Sequence, residues 1–177
     1  MKLVELIDDG TTMASHQSLD TFCFGPLVIR GEFREESAQF LYRSSGGIDF
    51  SLNIDTFTSD DPTLLLNRVS GEKSLLTIFQ VKHRVLRARE LTVAGMNAQE
   101  WLSWARTGPD KDQHAYGFAV ETRRSTPGKL SPRMQLYMDS AQLLVDGTPT
   151  ITSISDNEAI QLWDSVVKSI RPVGEVR

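Results

Sequence analysis

SDNEAIQLWDSVVKSIRP, residues 155–172, is the stretch on which the fold turns, because every helix signal within it agrees. Ser155 and Glu158 form a capping box, in which hydroxyl and carboxylate each accept from a backbone N–H that the first turn leaves unpaired. Asp156 and Glu158 lie at the positive end of the helix dipole, and Lys168 and Arg171 at the negative end. Asp164 is within reach of Lys168 one turn on, and Pro172 stops the helix. Ile160, Trp163, Val167 and Ile170 recur at three- and four-residue steps, with Leu162 and Val166 widening the stripe, which leaves Gln161, Asp164, Ser165 and Lys168 for water. At about 100 Å² of apolar surface for each of the four stripe residues, burial contributes roughly 10 kcal/mol gross. A stripe of this kind needs a sheet to cover.

The residues upstream supply one. Phe22 to Ile29, Ala38 to Tyr42 and Ile48 to Phe57 are rich in aromatic and β-branched residues. Ile48, Phe50, Leu52 and Ile54 alternate with Asp49, Ser51, Asn53 and Asp55, the two-residue repeat of a half-buried strand. Gly46-Gly47 marks a hairpin turn. Asp60-Asp61-Pro62 reads as a helix start with Asp61 as N-cap, opening a short helix near residues 62–70 in which Leu64, Leu65 and Val69 face inward and which Gly71 ends. Leu75 to Val81 and Val85 to Val93 are strand-like, and Lys82, His83, Arg84, Arg87 and Arg89 read as a solvated face. Glu100 to Arg106 fits a strand through Leu102, Trp104 and Arg106, and the alternation resumes at Tyr116, Phe118 and Val120 and at Met134, Leu136 and Met138. Asp146-Gly147 signals a further turn. Strands joined by hairpin-length links and bracketed by helices predict an antiparallel α+β fold of about five to seven strands.

At 177 residues, 40 % hydrophobic and 24 % charged, the chain suits one domain with a single core. Lys2 to Asp9 reads as a short amphipathic helix ended by Gly10, and Thr11 to Asp20 has linker composition, so residues 1–20 are expected to be a tail and residues 21–177 the domain. The net charge of −4 argues against a nucleic-acid partner, which requires a concentrated basic surface. No apolar run is long enough to span a bilayer, so membrane insertion is not expected. Met1 to Gly10 carries acidic residues where a secretory signal has a basic start, and the chain as written reads as cytoplasmic.

Catalytic and cofactor patterns are missing. His16, His83 and His114 lack a second ligand at zinc spacing and read as surface residues. No serine sits in a Gly-x-Ser-x-Gly elbow. Ser44-Ser45-Gly46-Gly47 lacks the lysine and the strand-to-helix context of a phosphate loop. Cys23, between Phe22 and Phe24, is in an apolar setting that suppresses the thiolate, and reads as packing. The sequence therefore points to a binding protein with no cofactor and no metal. The residues nominated for a partner are Trp101 and Trp104, as aromatic anchors, and Arg123, Arg124 and Lys129 on a basic loop.

Several stretches in order resemble the carboxy-terminal domain of the immunity proteins that neutralise type VI secretion lipase (phospholipase) effectors. They are Phe22-Cys23-Phe24-Gly25, Leu64-Leu65 with Arg68, Val85-Leu86-Arg87 running to Val93-Ala94-Gly95 and Glu100-Trp101, and Leu162-Trp163-Asp164 with Ser169-Ile170-Arg171-Pro172. The resemblance implies a stoichiometric inhibitor whose partner is a cognate lipase effector, acting in the periplasm, with the loops Thr107 to Gln113 and Arg123 to Pro132 as the first places to look for contact. A domain of this kind is also broadly similar to PsbP-like folds, and an accessory factor or a carrier of a small apolar ligand is the alternative; it requires a deep apolar pocket.

Overall fold

The computed structural model describes residues 7–8, 21–24, 27–30, 35–44, 47–57, 63–70, 82–106, 114–123, 128, 131–140 and 153–171, with backbone alone for the stretches before residue 35. By proximity the chain forms two compact units, Met1–Glu36 with Val173–Arg177, and Ser37–Pro172.

The first unit contains β1 (Ile7–Asp8), β2 (Thr21–Phe24) and β3 (Leu27–Arg30), in the order β1-β3-β2 and all antiparallel. Two expectations change here. Ile7 and Asp8, read as part of a helix, pair with Ile29 and Val28; two helical turns alone cannot repay nucleation, whereas a neighbouring strand supplies ladder hydrogen bonds at once. The run Phe22 to Ile29 is two strands, paired from Thr21↔Arg30 to Phe24↔Leu27, and the link it leaves is Gly25-Pro26, a dipeptide that punctuates strands. Cys23 lies on β2 as expected.

The second unit is a six-stranded antiparallel sheet in the order β4-β5-β9-β8-β7-β6. Its strands are β4 (Ser37–Arg43), β5 (Ile48–Asp55), β6 (His83–Val93), β7 (Met96–Arg106), β8 (His114–Thr122) and β9 (Arg133–Ser140). The β4–β5 turn is closed by Ser44, whose N–H donates to Ile48 O and whose Oγ accepts from Ile48 N at 3.0 Å, with Gly47 at φ +75°. The β6–β7 turn places Ala94 at φ +49° and Gly95 at φ +77° between Val93 and Met96, the two left-handed residues that match the twist of a two-residue hairpin.

Alternation along the strands gives the sheet two faces. Phe50, Leu52 and Ile54 of β5 share one face with Met134, Leu136 and Met138, Tyr116, Phe118 and Val120, and Leu102. That face is covered by α2 (Asp156–Ser169), which begins at Ser155 with both halves of the capping box formed and ends with the Ile170 N–H on Val167 O. Its buried line is Ala159, Trp163 and Val167, at steps of four, flanked by the half-buried Ile160, Val166 and Ile170. Leu162 is 38 % exposed, because a stripe centred on this line turns it outward. Ala159, not anticipated in the stripe, is fully buried and lets the backbone approach the sheet.

The other face carries α1 (Leu65–Ser70), whose first turn closes with the Arg68 N–H on Leu64 O. The described helix begins at Leu65, and Asp60-Asp61-Pro62 and Gly71 lie outside the described residues. Leu65 is buried, with Leu64 and Val69 half-buried. Leu75 to Val81, Thr107 to Gln113 and Asp146-Gly147 also lie outside them.

Candidate partner-binding site

Two polar clusters hold the helices to the sheet, one on each face. Under α2 is Glu100 of β7, with 0 % of its surface exposed. Its carboxylate accepts from four donors: Arg87 Nε at 2.7 Å and Nη2 at 3.1 Å, Arg89 Nε at 2.9 Å, and Trp163 Nε1 at 2.8 Å. Four bonds fill the lone-pair sites of an ionised carboxylate. A charge taken this far from water persists only when so satisfied. Arg87 then extends upward, donating from Nη1 and Nη2 to the two carboxylate oxygens of Asp164 on α2, and its hydrogen bonds hold the Asp164 carboxyl below the ordinary range. The expectation of a solvated face is thus corrected for Arg87, whose side chain is 21 % exposed, while Arg89 stays exposed as it donates to Glu100; Asp164, expected to face water within reach of Lys168, pairs with Arg87 instead. Both arginines share the face of Leu91 and Val93, opposite Leu102 and Glu100, so the alternation that packs the apolar pair against the core also turns both guanidiniums toward Glu100, with Arg87 alone reaching on to α2. Arg84, before the register shift at Val85/Arg87, makes only an exposed approach to Asp156 at 3.8 Å.

Beside this cluster the rings of Trp104, His114, Tyr116, Phe118 and Trp163 form a continuous file, with successive centroids 5.0, 5.0, 5.6 and 5.8 Å apart. The Tyr116 hydroxyl lies 2.8 Å from Asp156 Oδ1, 3.1 Å from Ile154 O and 3.1 Å from His114 Nε2. Burial, and then the Asp156 bond, push that hydroxyl far above the ordinary tyrosine range. His114 was expected on the surface; it opens β8 and is half-buried in this file, while His83 is exposed at the start of β6. These groups fasten the start of α2.

The α1 face is different. Gln99, Glu121 and Gln135 line up across β7, β8 and β9. Gln99 Oε1 accepts from the Leu66 N–H at 3.2 Å, and its Nε2 donates to Glu90 at 3.1 Å. Glu121 Oε1 accepts from Arg68 Nη2 at 2.6 Å, Tyr137 Oη at 2.8 Å and Gln135 Nε2 at 3.4 Å, and Arg68 Nη1 donates to Thr63 O. Burial together with the Glu121 bond raises the Tyr137 hydroxyl far above its usual value. Between α1 and these strands lies a small, open cleft of about 20 Å³, whose lining includes Leu65, Arg68, Gln99, Glu121, Arg123 and Arg133. No three His, Cys, Asp or Glu side chains converge on a metal position among the described residues, and no helix there is long and apolar enough to cross a membrane.

The nominated residues scatter. Trp101 is 8 % exposed, with its indole N–H donated to Ser103 Oγ at 3.1 Å, and Trp104 is half-buried on the opposite face against His114. Neither offers the open aromatic face on which its nomination rested, because the β7 alternation sends each into packing. Arg123 is exposed just past β8 at the rim of the cleft; Arg124 and Lys129 lie outside the described residues. Arg68, Gln99, Glu121 and Arg133 were missed as a group. For the three strand residues the one sequence-level signal is shared parity, which becomes readable once the register is known, and Arg68 joins them from α1.

The chain's comparisons with known proteins fit this architecture. Residues 20–173 match the family model described as the Tle cognate immunity protein 4 C-terminal domain. Immunity protein TplEi of the type VI secretion system from Pseudomonas aeruginosa, solved with an "L" peptide, is 25 % identical with a TM-score of 0.67 over 96 % of this chain and 59 % of its own. Its apo structure, at 24 % identity and TM-score 0.68, supports the fold. A chain in the crystal structure of the Tle4–Tli4 complex is 27 % identical, TM-score 0.66, over 85 % of this chain and 50 % of its own. The present chain thus spans a little over half the length of the solved relatives it matches. No curated protein matches. With its sheet, its closing helix and nearly all of its length accounted for by one family model, this chain belongs to the Tle cognate immunity protein 4 C-terminal domain family.

Proposed function

We propose that the protein is an immunity module that binds a cognate type VI secretion lipase effector and neutralises it by one-to-one association. The observation that carries this reading is the family match over residues 20–173; a solved relative whose printed description is that of a Tle4–Tli4 complex supports it. The inhibition is stoichiometric, since the described polar clusters are engaged in holding helices to the sheet. The α1 face, with its open cleft, and the adjoining loop from Arg123 to Pro132 form the contact surface, and Arg123, Arg124 and Lys129 are its cationic part. Trp101 and Trp104 act from within, by shaping β7. The site of action is the periplasm, where such a toxin is delivered. A carrier of small apolar ligands is the weaker reading, because the cleft is small and carries Arg68, Glu121, Arg123 and Arg133 in its lining.

The test is to mix the purified chain with the lipase encoded beside its gene and follow ester hydrolysis. Complete loss of activity at a one-to-one ratio is expected, together with a co-eluting complex; full activity at a large molar excess refutes the proposal. Exchanging Arg123 and Arg124 for glutamate is expected to weaken the complex, and an unchanged Kd removes that loop from the interface.

A further inference from the structure

The lining of the cleft is out of electrostatic balance. It brings together the guanidiniums of Arg68, Arg123 and Arg133 and the single carboxylate of Glu121. That carboxylate already accepts from Arg68, Tyr137 and Gln135. Arg123 and Arg133 form no ion pair within 4 Å among the described residues, although Asp55 lies opposite Arg133 in register. This cationic excess stands out in a chain whose net charge is −4. Arg68 is held by Glu121 and by Thr63 O, so one wall of the cleft is set before a partner arrives. The floor is fixed too, with both ends of the Gln99 amide engaged.

We infer that this cleft receives a carboxylate side chain from an acidic segment of a protein partner, with Arg123 and Arg133 as the groups that bind it. The inference rests on the proposed immunity function, and specifies the chemistry of the partner at that surface. A carboxylate fits the two arginines for reasons of charge and shape. A guanidinium fork matches its planar pair of oxygens and makes short, charge-assisted bonds. As a monoanion it also tolerates Glu121 at the rim better than a phosphate, which carries about −1.5 to −2. An anionic bilayer is the poorer occupant, because a flat charged surface is repelled by the net negative chain and cannot enter a recess beside α1.

The test follows the arginine Nε–Hε resonances of the ¹⁵N-labelled full chain during titration with a capped peptide of alternating glutamate and leucine. The same peptide with glutamine for glutamate, and bicelles containing phosphatidylglycerol, are titrated in parallel. Saturable shifts at Arg123 and Arg133 are expected with the glutamate peptide only. The Arg123→Glu/Arg133→Glu variant should lose the response, as should Arg123→Gln/Arg133→Gln, which guards against a misfolded charge reversal. Arg43→Glu/Arg84→Glu, the same charge change outside the cleft, should keep it. Equal shifts with both peptides, a response retained in the cleft variants, or a stronger response to the bicelles would each overturn the inference. In the lipase assay the cleft variants should inhibit about tenfold or more weakly. If the unaltered chain inhibits and the cleft variants inhibit equally well, the cleft assignment fails and the immunity function stands. If the unaltered chain does not inhibit while the peptide shifts appear, the immunity function fails and the carboxylate site stands.

Discussion

Glu100 and Glu121 stand on neighbouring strands of one sheet, on opposite faces, and each accepts hydrogen bonds from an arginine and from an aromatic side chain. Their surroundings give them opposite roles. The Glu100 side chain is wholly enclosed, whereas that of Glu121 is 12 % exposed beside a cleft. Above Glu100 lies a fourteen-residue helix with a complete capping box; above Glu121 lies a six-residue helix. Burial decides the difference. A carboxylate sealed from water must have all its partners at all times, so it fixes a helix in one place. A carboxylate at a wet rim can exchange partners at modest cost, and suits a surface that meets another protein.

The sharpest way to break the contrast is Trp163→Ala. It removes a fully buried indole and withdraws one of the four donors from Glu100, so a loss of about 5 kcal/mol is expected in chemical denaturation. A shift below about 1 kcal/mol would show that the helix does not depend on this side chain. Glu100→Gln keeps the shape but leaves Arg87 and Arg89 facing a neutral amide, and a loss of about 3 kcal/mol is expected; near-neutrality would place Glu100 with Glu121 in kind. Asp164→Asn should cost about 1 to 2 kcal/mol at neutral pH, and it carries a pH signature. Arg87 depresses the folded-state carboxyl below its ordinary value of 3.8, so its stabilisation is present above that value and is lost as pH falls through the folded one. The gap between the unaltered chain and the Asn variant, followed by denaturant melts from about pH 5 to pH 2, should therefore close on acidification. A gap independent of pH would assign Asp164 a packing role only. Smallest of all, Glu121→Gln should cost about 1 kcal/mol, with amide exchange accelerated in α1 and unchanged in α2; a loss equal to that of Glu100→Gln would erase the distinction between the faces.

How much of this was legible before the structure depended on the range of each signal. α2 could be read because its cap, its charges and its stop are local to one stretch of chain, and β5, β8 and β9 because alternation is local too. The buried cluster could not. Glu100 meets Arg87 thirteen residues away, but Trp163 sixty-three away, and Arg87 meets Asp164 across seventy-seven. Arg87 looks like part of a wet strand face unless the packing of Leu91 and Val93 on the same parity is given more weight than its charge. The β2–β3 hairpin was missed for another reason. Its apolar composition is continuous enough to hide a two-residue link, even though Gly25-Pro26 is a turn signal. At the candidate site Arg123 lies on the cleft lining; Gln99, Glu121 and Arg133 are assembled by register and Arg68 reaches them from α1, which no single segment encodes.

The strand order bears on how the chain comes to be folded. β9 lies between β5 and β8, joining the β4–β5 hairpin to the β6–β7–β8 meander. During synthesis those two pieces leave the ribosome first, each with one long inner edge whose peptide groups have no partner. The core face of β5 and that of β8 stay open to solvent until residues 133–140 arrive between them and Trp163 follows. Residues 133–169 therefore control when the strands made before them become safe from pairing with a stranger's strand.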